Sequence, residues 1–201
     1  MLDDRVREVL RRLEEETAIE SGLSLPYTER SLQIEPTSGA LLYALAAGRP
    51  GCEVLEIGGS RGYSTIWLAA AARAHGGHVT SLEADPAKLA ASARNISDAG
   101  LDDWVEIIGG DAFESLERLD GPFDLVFLDA WKDDYEAFFR LARERVDAGG
   151  VIVADNVVSD AARLAAYSAA RQADPGLVSV TVPLDNGLEV TSVLTNWLLS
   201  D

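Results

Sequence analysis

Apolar positions change period along this chain, and the changes divide it into elements. Between residues 3 and 18, Val6, Leu10 and Leu13 recur at helical spacing among charged neighbours, which predicts an amphipathic helix. Residues 21–35 carry no regular period and include Pro26, so an irregular segment is expected there. Pro36 suits the first turn of a second helix, which runs to about Ala47 and is ended by Gly48 and Pro50.

Short apolar runs then alternate with Ala-, Leu- and Arg-rich stretches of helical period. The runs lie at Glu53–Ile57, His78–Glu83, Trp104–Ile108, Phe123–Asp129 and Gly150–Asp155. Between them come Tyr63–Ala74, Pro86–Ala99, Ala112–Leu119 and Lys132–Val146. Runs such as Val126-Phe127-Leu128 are apolar on successive residues, as strands covered on both faces are. Strands alternating with helices imply right-handed βαβ units and a parallel sheet. A last helix at about Asp160–Ala173 is followed by Leu177–Leu184 and Leu188–Thr195 around Asp185-Asn186-Gly187, which reads as a hairpin. The class is therefore α/β and Rossmann-like: a mostly parallel sheet, helices on both faces and an antiparallel last strand. The chain has 201 residues, no internal repeat and no linker, so one domain over 1–201 is expected.

Ligands of such sheets bind at the carboxyl ends of the strands. Four ends carry residues that burial alone does not require: the turn Glu56-Ile57-Gly58-Gly59-Ser60-Arg61-Gly62, then Glu83, Asp129 and Asp155-Asn156. Gly58 and Gly62 permit a tight strand-to-helix turn and close approach to a ligand. Glu83 follows Gly62 by 21 residues, near the spacing at which an acid takes a ribose hydroxyl pair. The glycines do not follow the dinucleotide spacing, and Glu56 would oppose a diphosphate but could accept from an ammonium group. S-adenosylmethionine (SAM) has the matching profile, an amino group and a ribose without phosphate. An ordinary glycine turn is the competing reading, and Glu83 weighs against it.

Asp129, Asp155 and Asn156 offer two carboxylates and an amide oxygen, a set suited to Mg²⁺ or another hard divalent cation such as Mn²⁺ or Ca²⁺. Mg²⁺ wants about six oxygens, so positions would remain for water and substrate. For a single Asp at a strand end, a helix N-cap is the alternative. Lys132, three residues after Asp129 and at the start of the next predicted helix, stands where the helix dipole disfavours a cation. Beside a divalent ion its pKa would fall, making a neutral amine accessible as a base; the plain alternative is a solvated lysine.

Composition narrows the field. Thirty-four acidic residues against 17 basic ones give a net charge of −17, which disfavours nucleic acid and anionic membrane surfaces as partners. Only two basic residues are lysines, Lys132 and Lys88, and Lys88, among Ala and Leu, is given no role. Cys52 is the sole cysteine, which excludes an intrachain disulfide and a Cys-based zinc site. His75 and His78 flank a Gly-Gly pair and read as a surface turn. The charged N-terminus is no signal peptide and no run is long enough to span a membrane, so a cytoplasmic protein is expected.

At these residues the chain resembles the cation-dependent small-molecule O-methyltransferases, the group of catechol and caffeoyl-CoA O-methyltransferases. The matching segments are LQIEPTSGALL (32–42), VLEIGGSRGYSTIWLA (54–69), SLEADP (81–86), GGDA (109–112), FDLVFLDAWKDDY (123–135), GGVIVADNV (149–157) and NGLEV (186–190). The resemblance implies a seven-stranded sheet and SAM held by Glu56, Gly58, Gly62, Ser64 and Glu83. It implies Ala112 and Trp131 at the adenine, backbone at Leu32 and Ile34 over the methionine end, and Asp129 contributing to both cofactor and metal sites. Asp129, Asp155 and Asn156 would bind the metal, and Lys132 would be the base. Lys132, Asn156 and Glu189 would face a small vicinal dihydroxy substrate, with Glu189 otherwise an exposed residue after a turn. Residues 1–50 would cap the site, and a homodimer is expected, for which the apolar stripe of the first helix is a candidate surface. Ser60 and Ala130 depart from the family pattern, and residues 21–35 and 159–164 match no subgroup. A nicotinamide-dependent oxidoreductase and a non-catalytic SAM-binding module are the competing readings. The glycine spacing and the Asp-Asn pair oppose the first, and Lys132 with the metal donors opposes the second.

Overall fold

The first strand of the chain lies inside the sheet, beside its central strand. The structure, a computed structural model, describes residues 2–26 and 29–194. Its strands are β1 (Glu53–Ile57), β2 (His78–Glu83), β3 (Val105–Gly109), β4 (Phe123–Leu128), β5 (Val146–Ala154), β6 (Leu177–Val182) and β7 (Leu188–Val193). They form one seven-stranded sheet of order β3-β2-β1-β4-β5-β7-β6. β1 pairs in parallel with both β2 and β4, so the winding reverses between β1 and β4. β7 is antiparallel to β5 and to β6, as the hairpin pattern predicts.

The helices are α1 (Asp4–Ser21), α2 (Pro36–Ala47), α3 (Tyr63–His75), α4 (Pro86–Ala99), α5 (Ala112–Arg118), α6 (Tyr135–Arg143) and α7 (Ala161–Ala173). Strand residues alternate between two cores. Val54, Val79, Leu125 and Phe127 pack with buried side chains of α1 to α4. Leu55, Ile57, Val126 and Leu128 pack with those of α5, α6 and α7. Both sheet faces are thus covered, which is why β1, β4 and β5 carry apolar residues in succession, as at Val54-Leu55, Leu125–Leu128 and Val151–Ala154. Glu56 falls on the face toward α3 by the same alternation.

Several boundaries differ from the expected ones. α1 is capped by Asp3, whose carboxylate accepts the N–H of Val6, and runs on to Ser21. Its stripe of Val6, Val9, Leu10 and Leu13 is buried inside the chain, so it is not the free surface that a partner copy would need. Lys132 opens a 3₁₀ turn, Lys132–Asp134, that runs directly into α6 at Tyr135, so the lysine stands one turn ahead of the α-helix rather than in its first turn. β5 begins at Val146, well before Gly150, because the register shifts where Phe123 and Leu125 of β4 face Val146 and Val151. Thr195, the last residue of the expected final strand, lies outside the described residues. None of the described helices is long and apolar enough to cross a membrane.

Candidate active site

The carboxyl ends of β1, β2, β4 and β5 open onto one cavity of about 670 Å³ beside the reversal point of the sheet. The glycine turn forms one wall. Gly58 has φ 100°, and a Cβ there would stand 2.2 Å from the carbonyl oxygen of Asp129, so only glycine lets the turn pass so close to β4. Gly62, with φ 89°, ends the turn as the cap of α3. Glu83 reaches into the turn: one carboxylate oxygen accepts the N–H of Ser60 at 2.7 Å and the other that of Asp85 at 2.8 Å.

Glu56 lies beneath the turn and is fully buried. Its Oε2 accepts from the hydroxyls of Thr65 and Ser81, while Oε1 has no partner. Burial pushes its pKa up, against the hydroxyls of Ser64, Ser81 and Thr65, which favour the charged form. An unpaired buried carboxylate oxygen is costly unless a ligand donor meets it, and that fits an ammonium-bearing cofactor.

Opposite lie the oxygen donors. The N–H of Asp129 is held by Ile57 and that of Asp155 by Leu128, both at 3.0 Å, which brings the ends of β4 and β5 level. Tyr135, almost fully buried, sets its hydroxyl 3.2 Å from the carbonyl oxygens of both Leu128 and Asp155. Asn156 has φ 65°, a left-handed conformation that Asn tolerates. Burial first, and the charge of Asp129 second, hold the Asp155 carboxyl well above the usual carboxylate range. Nζ of Lys132 donates to Asp129 Oδ1 at 2.7 Å and to the Ala130 carbonyl at 3.1 Å. Among the described residues no group of three His, Cys, Asp or Glu side chains is placed to hold a metal. The set is two carboxylates and an amide, and its excess negative charge and hard oxygens fit a divalent cation that keeps other positions open.

Of the sequence-derived residues, Leu32, Gly58, Glu83, Ala112, Asp129, Trp131, Lys132, Asp155 and Asn156 line this cavity. Ile34, Glu56, Gly62 and Ser64 stand behind the lining; Ile34 and Ser64 are buried. Glu189 is not brought to the cavity. It is fully buried, and its carboxylate accepts from Gln172, Ser179 and Thr181, so it is neither the expected substrate contact nor an exposed residue. Strand alternation turns its side chain away from the site.

Lys88, given no role from the sequence, also lines the cavity. Its place in the first turn after a strand that ends at the site was the available signal. Phe113 and Phe138, stacked with ring centroids 4.3 Å apart, form an apolar part of the wall. They come from different helices, and no local pattern links them. Asn186 reaches the cavity from the β6–β7 turn.

Residues 55–157, just over half the chain, match the model of a family described as "Methyltransferase domain". The chain is 40% identical over 134 residues to the catechol O-methyltransferase of Niastella koreensis, covering 65% of this chain and 60% of that protein. It is 40% identical over 128 residues to the catechol O-methyltransferase of Mycobacterium tuberculosis, covering 63% and 58%. It thus spans about three fifths of the length of these relatives. Its fold is similar to the crystal structure of the O-methyltransferase TomG from Streptomyces achromogenes, involved in tomaymycin synthesis, in complex with SAM. The TM-score is 0.80 at 27% identity, over 94% of this chain and 90% of the other.

Proposed function

Because this chain belongs to the methyltransferase-domain family, we propose that it transfers a methyl group from SAM to a hydroxyl of a small vicinal dihydroxy compound, with a divalent cation as aid. One observation carries the reading: a single cavity joins the glycine turn and Glu83 to Asp129, Asp155, Asn156 and Lys132. SAM would supply a methyl group on a positively charged sulfonium. A divalent cation held by Asp129, Asp155 and Asn156 would gather two substrate oxygens and lower the pKa of one.

The protein's own residues then do three things. Glu56 and Glu83 take the amino and ribose ends of the cofactor, and Ala112, Phe113 and Trp131 border its base. Lys132, with two N–H directions held by Asp129 and Ala130 when protonated, keeps a third position for the substrate. On this reading the hydroxyl proton would pass to Nζ of Lys132, and the oxygen so freed would take the methyl group as its bond to sulfur breaks and a neutral thioether leaves. The apolar wall of Ile57, Phe113 and Phe138 excludes water from that step. Residues 1–201 are read as one domain in which 1–50 caps the site, supported by the packing of α1 and α2 on α3 and α4.

The test is an assay with labelled SAM, Mg²⁺ and a panel of vicinal diphenols, with and without chelator. Methyl transfer that stops on chelation is expected. Transfer that survives complete chelation would overturn the metal's part, and absence of transfer to every diphenol would overturn the substrate class.

A further inference from the structure

Arg61 stands inside the glycine turn, yet it does not line the cavity. Its guanidinium turns back toward the end of α1. Nη1 lies 2.5 Å from Oε1 of Glu20, and Nη2 donates to the Glu29 carbonyl at 2.6 Å. The other oxygen of Glu20 accepts the N–H of Ser31 at 2.9 Å.

Ser31 is 4% exposed and held by every polar group it has. Its hydroxyl shares a hydrogen with that of Thr17, and its carbonyl accepts from the Ser60 hydroxyl at 2.8 Å. Ser60 in turn donates its N–H to Glu83. A continuous series of hydrogen bonds therefore runs from the end of α1, through Ser31, to the acid at the end of β2.

Two features make little sense for packing alone. Glu20 sits in the last turn of α1, where the helix dipole disfavours an acid. Leu32 has φ 50°, a conformation unfavourable for an aliphatic side chain, and it is exposed enough that burial does not hold it there. Pinned between the bonded Ser31 and the buried Ile34, Leu32 and Gln33 form part of the cavity wall. The Arg61 and Glu20 side chains are 25% and 19% exposed, so their attraction is only partly screened.

We propose that the Arg61–Glu20 ion pair is a clamp that positions Ser31–Ile34 against the glycine turn and so sets how tightly the cofactor is held. This rests on the SAM reading of the site. Arg61 is a positioning residue and touches no reacting atom.

The experiment is calorimetry with S-adenosylhomocysteine on the wild type, Arg61→Ala, Glu20→Gln and the conservative Arg61→Lys, with Mn²⁺ affinity measured on each. Arg61→Ala and Glu20→Gln should each bind S-adenosylhomocysteine about fivefold or more weakly, and Arg61→Lys, which keeps the charge facing Glu20 and leaves the Glu20–Ser31 bond in place, should retain most of the affinity. Mn²⁺ affinity should stay unchanged throughout, and the KM for SAM should rise without a fall in kcat. Arg61→Ala and Glu20→Gln variants that bind S-adenosylhomocysteine like the wild type overturn the clamp. So does a parallel loss of both affinities that Arg61→Lys shares, which marks general damage. A wild type that binds no S-adenosylhomocysteine overturns instead the cofactor reading on which the clamp rests.

Discussion

Nζ of Lys132 lies 2.7 Å from Oδ1 of Asp129 and 5.1 Å from the centre of the Tyr135 ring. The lysine therefore rests on one proposed metal ligand and on the residue whose hydroxyl meets the carbonyl of another. The 3₁₀ turn keeps Lys132 beside Asp129, ahead of α6, where the proposed base can reach the proposed metal ligands. Lys132→Ala should lower turnover by roughly 10²–10⁴-fold, the usual contribution of a positioned acid–base group. Affinity for S-adenosylhomocysteine should hardly move, because Lys132 is read as the base and the cofactor-holding residues stay in place. Steady-state kinetics with calorimetry separates the two, and unchanged turnover removes Lys132 from the mechanism.

Asp155 and Asp129 oppose one another at the ends of β5 and β4, and the charge of Lys132 acts on both. Asp155→Asn keeps the shape and removes one buried charge. Metal-stimulated activity should be lost, while the metal-free protein at neutral pH should gain stability, its melting midpoint rising about 2–4 °C for each kcal/mol gained. Thermal melts with and without Mg²⁺ check both. A variant still stimulated by Mg²⁺ means that the ligands are others.

Glu56 makes a pH-dependent prediction. Burial raises its folded pKa above the ordinary 4.5, so its protonated form stabilises the fold at low pH. That contribution is lost as pH rises from the ordinary carboxylate range through the raised folded pKa. Cofactor-free protein should therefore lose stability over that window, and Glu56→Gln should flatten the loss. The same change should weaken S-adenosylhomocysteine by roughly 10–100-fold, since a charged partner for the amino group is gone. Urea melts across pH, followed by calorimetry, read the two effects. Equal cofactor affinity in both proteins removes Glu56 from the site.

The fold was legible because the inner strands sit between two apolar layers, so Val54-Leu55 and Val126-Phe127-Leu128 announce themselves without reference to the rest of the chain. Strand-end residues were legible for a related reason. Glu83, Asp129 and Asp155 are polar immediately after runs that burial made apolar. Contacts between distant segments were not. The stacking of Phe113 on Phe138 and the turn of Arg61 toward Glu20 depend on which helices the sheet brings together. Register failed at Glu189 for a different reason. Glu189 faces α7 and β6 while its neighbour Leu188 is buried in the other core, and the NGLEV motif marks the strand without showing that its glutamate is taken up by those partners.

That facing yields the last prediction. The Glu189 carboxylate takes donors from Gln172 at 3.0 Å, Ser179 at 2.6 Å and Thr181 at 2.6 Å, which joins α7 to β6 and β7. Removing it takes a shared acceptor from three donors, of which Gln172 keeps Thr181 and Ser179 keeps Thr191, at a cost of about 1–3 kcal/mol for a group left dry and unpaired. Glu189→Ala should accordingly lower the urea midpoint strongly. At temperatures where the variant stays folded, the KM for a diphenol substrate should remain within about twofold, because surface and buried sites away from a ligand contribute little to its binding. A large rise in that KM with stability intact would return Glu189 to the substrate, and would require the end of β7 to rearrange when substrate binds.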